Sequence, residues 1–379
     1  HWFWFFGHPE VYIIFVPALG MVSSVVTAFS RHGIVGYTAI VLSLVATGVI
    51  GFGLWVHHMF ATGLPQLGEN FFTAAGMMIS IPTGVQIFCW IATLWSGRPV
   101  FKTPLWFIIA FFVTFLIGGL TGVMLASVPI NLQVHDTYFV VAHLHYVLIG
   151  GAVFPLFAAF HYWFPKATGR LLDERLGRVE CALLFVGFHL TFFPMHLLGF
   201  NGMPRRLYTY GTDVGWATHS LLATIGAGLL GIGVAVFLVN VVSGLRRGAP
   251  AGSDPWGGDG LEWATSSPPP PYNFLLLPTV RGLYPLWTGE SQKTLVTGLS
   301  WESRQVLATH TVDAEPDHRI TLPGPALSPL FVALATGVTF IGLIFTPWAA
   351  PVGLVLTTVP LIAWFWPRPP HHELLEEQP

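Results

Sequence analysis

Along the chain, long apolar runs are separated by short polar or Gly/Pro-rich breaks. Runs of bilayer length fall at about 3–30, 34–61, 71–95, 104–127, 138–164, 179–201 and 217–244, and again at about 326–346 and 349–366. A spanning helix needs about 20 apolar residues, so the pattern predicts about nine spans. Backbone polar groups in lipid must be satisfied internally, and these runs are too continuous for the alternating strands of a barrel. The expected fold is therefore all-α, a polytopic transmembrane helix bundle.

Composition agrees. The chain has 379 residues, 53% of them hydrophobic and only 9% charged, whereas soluble domains carry about a quarter charged residues. The net charge of −2 and the lack of a basic cluster argue against a nucleic-acid partner. Cys89 and Cys181 lie inside predicted spans, so neither a disulfide framework nor a thiolate metal site is indicated. The first residue is His and the first apolar run begins at once, so the chain is expected to lack its natural N-terminal part.

The Lys and Arg residues alternate sides between successive spans. Arg31, then Arg98 and Lys102, then Lys166, Arg170, Arg175 and Arg178, then Arg246 and Arg247 share one side. The positive-inside rule makes that side cytoplasmic. Arg205 and Arg206, in "NGMPRRLYTY", are left as an anomaly on the outer face, where a partner of negative charge is expected.

With that orientation, five histidines from three spans reach one layer, one to two turns below the outer face: His8, His57, His58, His143 and His145. A lone intramembrane histidine is usually an ordinary core residue, but adjacent His57–His58 with His8 at matching depth suggests a metal. Three neutral imidazoles with an open position suit a copper that binds O2 or another small molecule. His143 and His145 lie about 200° apart on a helix and cannot ligate one ion. They can each be the axial ligand of a separate macrocycle, or be two unrelated histidines. In "HPEVY", His8 and Tyr12 share one helical face, which makes Tyr12 a candidate donor of an electron and a proton beside the metal. Glu10 faces elsewhere and, as a buried carboxyl, is a candidate proton relay.

"GHPEVYI", "WVHHMF", "IPTGV", "HDTYFVVAHLHYVL" and "GMPRR", in this order and spacing, resemble subunit I of the haem–copper oxygen reductases. The resemblance covers about residues 1–245, the family's helices six to twelve, and "HPEVY" is similar to the A-type branch. It implies His8, His57 and His58 as CuB ligands, with Tyr12 as the tyrosine cross-linked to His8. Glu10 would end a proton pathway, and Ser23 and Thr83 match polar positions of a second one. His143 would bind the high-spin haem and His145 the low-spin haem, both of haem a type. His135 and Asp136 match a Mg2+ site near the haem propionates, and Arg205 and Arg206 match the propionate-binding arginines. One departure is Gln86 of "IPTGVQIFCW", which stands where the family usually has the lysine of that second pathway. Gln can hydrogen-bond but cannot carry a proton as an ammonium.

The resemblance further implies a proton-translocating cytochrome c oxidase in a bacterial inner membrane. Its partners would be a copper-carrying subunit II, subunit III, cytochrome c and O2. A quinol oxidase shares every motif. A nitric oxide reductase fits Tyr12 and Glu10 less well, and a non-enzymatic transporter with a histidine lining predicts no haem. The expected organisation is a core over 1–245, a cytoplasmic Pro/Gly-rich segment over 246–325, a transmembrane hairpin over 326–367 and a tail over 368–379. His371–His372 in that tail, and His161, His189 and His196, are expected not to be ligands.

Overall fold

The computed structural model describes residues 1–271, 273–274, 280, 282–287, 305–312 and 315–366. His371 and His372 lie outside the described residues. Seven stretches are long and apolar enough to cross a membrane. The first is α1 (Trp2–Ser30). The second joins α2 (Tyr37–Phe52) to a 3-10 segment, Trp55–Thr62. The third joins α3 (Gln66–Met78) to α4 (Ser80–Ser96). The fourth is α5 (Thr103–Ala126), followed by the short α6 (Val128–Val134). The fifth is α7 (Tyr138–Leu148), a π-helical turn (Ile149–Val153) and α8 (Phe154–Thr168). The last two are α9 (Glu174–Phe200) and α10 (Ala217–Arg247).

The apolar core occupies one end of this bundle. Val22, Val26 and Phe29 of α1 meet Phe107 and Phe111 of α5, Trp90 of α4, Tyr162 of α8 and Phe188 of α9. Residues after α10 close that end. Lys166 donates to the carbonyls of Ser253, Thr265 and Ser266 at 2.9–3.1 Å. Trp256 and Trp263 donate to the backbone carbonyl and the hydroxyl of Tyr162. A buried ammonium requires such partners, and three carbonyls supply them. The opposite end of the bundle holds a histidine-lined cavity.

A second compact unit covers residues 270–278 and 294–379. It contains an antiparallel pair, β1 (Gln305–Thr309) and β2 (Pro316–Thr321), with Val306 opposite Ile320. Hydropathy alone did not reveal these strands within the Pro/Gly-rich stretch. The two C-terminal apolar runs form α11 (Ser328–Leu343) and α12 (Ala349–Phe365). They are shorter than the seven spans, at 16 and 17 residues, and Gly353 is their one buried residue. A Cβ at Gly353 would overlap Thr339, so the glycine allows the two helices to touch.

Candidate metal centre

Gly53 ends α2, and the chain continues as a 3-10 turn that carries His57 and His58. Successive side chains on such a turn are about 120° apart, rather than the 100° expected of an α-helix. α1 passes alongside and presents His8, which is 6% exposed. His8 Nδ1 lies 3.0 Å from His58 Nε2. The ring centroids of His8 and His57 are 4.6 Å apart, and those of His57 and His58 are 4.2 Å apart. One nitrogen from each of the three lies within 4.8 Å of the others, the one such group of His, Cys, Asp or Glu among the described residues.

The donor chemistry fits a metal. His8 Nε2 and His57 Nδ1 are buried without a hydrogen-bond partner, which is costly unless something else occupies them. Ligands at about 2.0–2.1 Å in a trigonal set stand roughly 3.5 Å apart, a spacing between the 3.0 Å from His8 Nδ1 to His58 Nε2 and the 4.8 Å that bounds the group. Trp4 lies flat on His58, with centroids 3.8 Å apart and planes at 12°. Trp4 stands one helical turn before His8 on α1, but its stack on His58 crosses between elements. Tyr12 packs edge-on against His8 with centroids 4.6 Å apart. Gly51 of α2 leaves room for this ring, because a Cβ there would stand 2.9 Å from it.

Trp4, His8, Tyr12, His57 and His58 line a cavity of about 410 Å3 that also takes in Thr83, His135, Asp136, His143 and Arg205. His143 enters it from α7. Its Nδ1–H donates to the Gly118 carbonyl at 3.1 Å, with Thr121 Oγ1 3.0 Å away, an assignment made from those partners. That leaves Nε2 with a free lone pair, the arrangement of a metal-binding imidazole held by a carbonyl behind it. Gly122 lets the ring lie close to α5, since a Cβ would stand 3.1 Å from His143 Cε1. His145 does not line the cavity. Its Nδ1 is 2.7 Å from the Val141 carbonyl, and its ring stacks on Phe192 of α9 at 4.1 Å.

At the cavity rim, residues 135–138 meet residues 203–206. Tyr138 N donates to Met203 O at 3.0 Å and Arg205 N to Asp136 O at 2.8 Å. The Arg205 guanidinium pairs with the Asp136 carboxylate, and His135 Nε2 is 3.7 Å from that carboxylate. Arg205 Nε is buried without a partner. Arg206 is exposed, takes a left-handed φ of 69°, and does not line the cavity.

Of the remaining candidates, Thr83 lines the cavity while Glu10 and Ser23 do not. Glu10 is half-buried. Ser23 Oγ accepts from Trp90 Nε1 at 3.0 Å and donates to the Leu19 carbonyl. Thr83 donates to the Ile79 carbonyl. Gln86 is fully buried and donates to Thr47 Oγ1 at 3.2 Å, while its Oε1 has no partner.

Residues 1–229 match the family model described as cytochrome C and quinol oxidase polypeptide I. The chain is 43% identical to cytochrome c oxidase subunit 1 of Bacillus subtilis over 369 residues, which is 96% of the chain and 57% of that protein. It is 42% identical to quinol oxidase subunit 1 of Bacillus spizizenii over 93% of the chain and 53% of that protein. A probable cytochrome c oxidase subunit 1-beta of Nocardia farcinica is 50% identical over 75% of the chain and 48% of its own length. The chain thus spans about half of the curated relatives it matches. A solved haem–copper terminal oxidase dimer shares the fold, with TM-score 0.58 at 23% identity over 64% of the chain and 48% of that structure.

Proposed function

The chain belongs to the cytochrome c and quinol oxidase polypeptide I family, and we propose that it forms the haem–copper part of a terminal respiratory oxidase that reduces O2 to water. One observation carries this reading. Three clustered imidazoles, two of them with an unpartnered buried nitrogen, share a cavity with a fourth, His143, whose Nδ1 is already held by a carbonyl. His8, His57 and His58 would hold copper, His143 the iron of one haem and His145 the iron of the other. When bound, these metals supply the place where O2 binds and the route by which electrons reach it.

The protein's own groups do the rest. The Gly118 and Val141 carbonyls orient the two haem-binding imidazoles. Trp4 holds the plane of His58. Tyr12 sets its phenol beside His8, where it can give a hydrogen atom to the reaction without leaving its place. Glu10, two residues from both His8 and Tyr12 and off the cavity, would relay protons toward it. Ser23 and Thr83 belong to a second polar route, altered by Gln86. Arg205 and Arg206 would meet haem propionates, and His135 with Asp136 a Mg2+ ion between them and solvent.

On this reading the haems are of a type, and residues 1–245 form the haem–copper core. The stretches 246–325, 326–367 and 368–379 are a cytoplasmic segment, a membrane hairpin and a tail. The Lys/Arg-rich loops face the cytoplasm of a bacterial inner membrane. Electrons come from cytochrome c through a copper-carrying subunit II, beside subunit III, with coupled proton translocation. Quinol as donor is the second reading, because relatives of nearly equal identity carry both names. An optical spectrum of the purified complex tests the first step: haem bands are expected, and their absence overturns the oxidase. Turnover with reduced cytochrome c against turnover with quinol then separates the two donors.

A further inference from the structure

α7 sends three side chains in three directions. His143 enters the cavity, His145 lies against Phe192, and the fully buried Tyr146 reaches α9, where its phenol oxygen is 2.7 Å from His189 Nδ1. His189 Nε2 is buried and has no hydrogen-bond partner, so the tyrosine is the polar contact that places this ring. On an α-helix Tyr146 stands about 100° from His145 and about 300° from His143. Fixing the azimuth of one therefore fixes the other two.

The opposite flank of the same turn is equally constrained. A Cβ at Gly118 of α5 would stand 2.9 Å from the Tyr146 carbonyl carbon, and the Gly118 carbonyl itself holds His143 Nδ1. The turn is thus gripped between the α5 backbone and an α9 imidazole. Immediately beyond it the helix widens into the π turn Ile149–Val153, which breaks the side-chain register between α7 and α8. The orientation of α7 therefore cannot be inherited from the well-packed α8 and has to be set locally.

We propose that Tyr146 and His189 are positioning residues whose hydrogen bond sets the rotation of α7, and with it the direction in which His143 and His145 present their Nε2 atoms to the haems. The inference rests on the haem-ligand reading above. Neither residue lines the cavity. A phenylalanine would fill the same space, so the role belongs to the hydroxyl and not to the ring.

The test uses the purified holo complex with Tyr146→Phe, His189→Leu and His189→Gln, read by the g values of the low-spin haem in electron paramagnetic resonance and by the reduced haem bands. Tyr146→Phe and His189→Leu are expected to shift both signals while haem content stays at the wild-type level. His189→Gln keeps an acceptor for the phenol and is expected to restore them. Packing alone would not distinguish Gln from Leu in this way. Spectra of Tyr146→Phe that superimpose on wild type overturn the proposal, as does a Gln variant as displaced as the Leu variant. If His189→Leu does not assemble, Tyr146→Phe, which removes a single oxygen, decides alone. Unshifted variants in a haem-loaded complex overturn this inference only, whereas a wild-type complex without haem bands overturns the oxidase reading and this inference with it.

Discussion

His57–His58 and His143–His145 are both close histidine pairs on one element, yet one pair converges and the other splits. The first pair sits on a 3-10 turn, about 120° apart, and both rings are met from across the gap by His8 of α1. The second pair sits on an α-helix about 200° apart. A backbone carbonyl behind each ring commits it to its own side. Spacing along the chain decides whether two rings can share a partner. A third element decides whether they do.

The largest expected effect breaks the convergent pair. Replacing His58 with Ala should lower copper per protein by about tenfold or more, since loss of a ligand exceeds the roughly 10–100-fold effect of losing a supporting group. Haem bands should persist. Metal analysis showing wild-type copper would mean that the three imidazoles do not act together. The divergent pair should behave oppositely: His145→Leu should remove the low-spin haem spectrum and leave copper unchanged.

Next in size, Tyr12→Phe should keep both haems and copper but reduce O2 turnover by about 100-fold or more, the range of a lost proton donor. Oxygen-electrode rates at wild-type level would remove Tyr12 from the chemistry.

A smaller effect sharpens the difference between the two regions. Gly118→Ala forces a Cβ against the Tyr146 backbone, an overpacking expected to cost about 1–3 kcal/mol. Thermal melts should show the loss, and haem spectra should change while copper content does not. Equal loss of copper would show that the two regions are not independent.

The smallest effect lies outside both regions. Asp259 is pushed up to about 6, chiefly by burial and then by the nearby Glu262 and Asp254 carboxylates, although a hydrogen bond to its own backbone opposes the shift. A raised carboxyl pKa means that the folded state holds a proton the unfolded state has released, so stability should fall as pH rises from about 4 to 6. Asp259 is partly exposed, and screening keeps the effect near 1 kcal/mol or less. Asp259→Asn should flatten that part of a stability-against-pH curve, and an unchanged slope would assign it elsewhere.

Much of this was legible in the chain. Apolar run length located all seven spans, because burial in lipid leaves few alternatives to a helix of that length. Helical spacing placed Tyr12 beside His8 and separated His143 from His145, since both relations lie within one helix. The stack of Trp4 on His58, the pairing of Arg205 with Asp136 and the Tyr146–His189 bond were not legible. Each joins residues 43 or more positions apart, and no local pattern records which faces of two helices will meet. The strands β1 and β2 were missed for another reason: neither shows a continuous apolar run.

By itself, then, the sequence determined which segments are long and apolar enough to cross a membrane, and the angle between side chains on a single helix. These follow from hydrophobicity and from the fixed geometry of a helix. Only the tertiary structure decided that the second span changes to a 3-10 turn after Gly53, that His8 closes on His57 and His58, and that α7 is gripped between Gly118 and His189. Those facts depend on how each helix is rotated against its neighbours, which is set by packing and hydrogen bonds between distant residues.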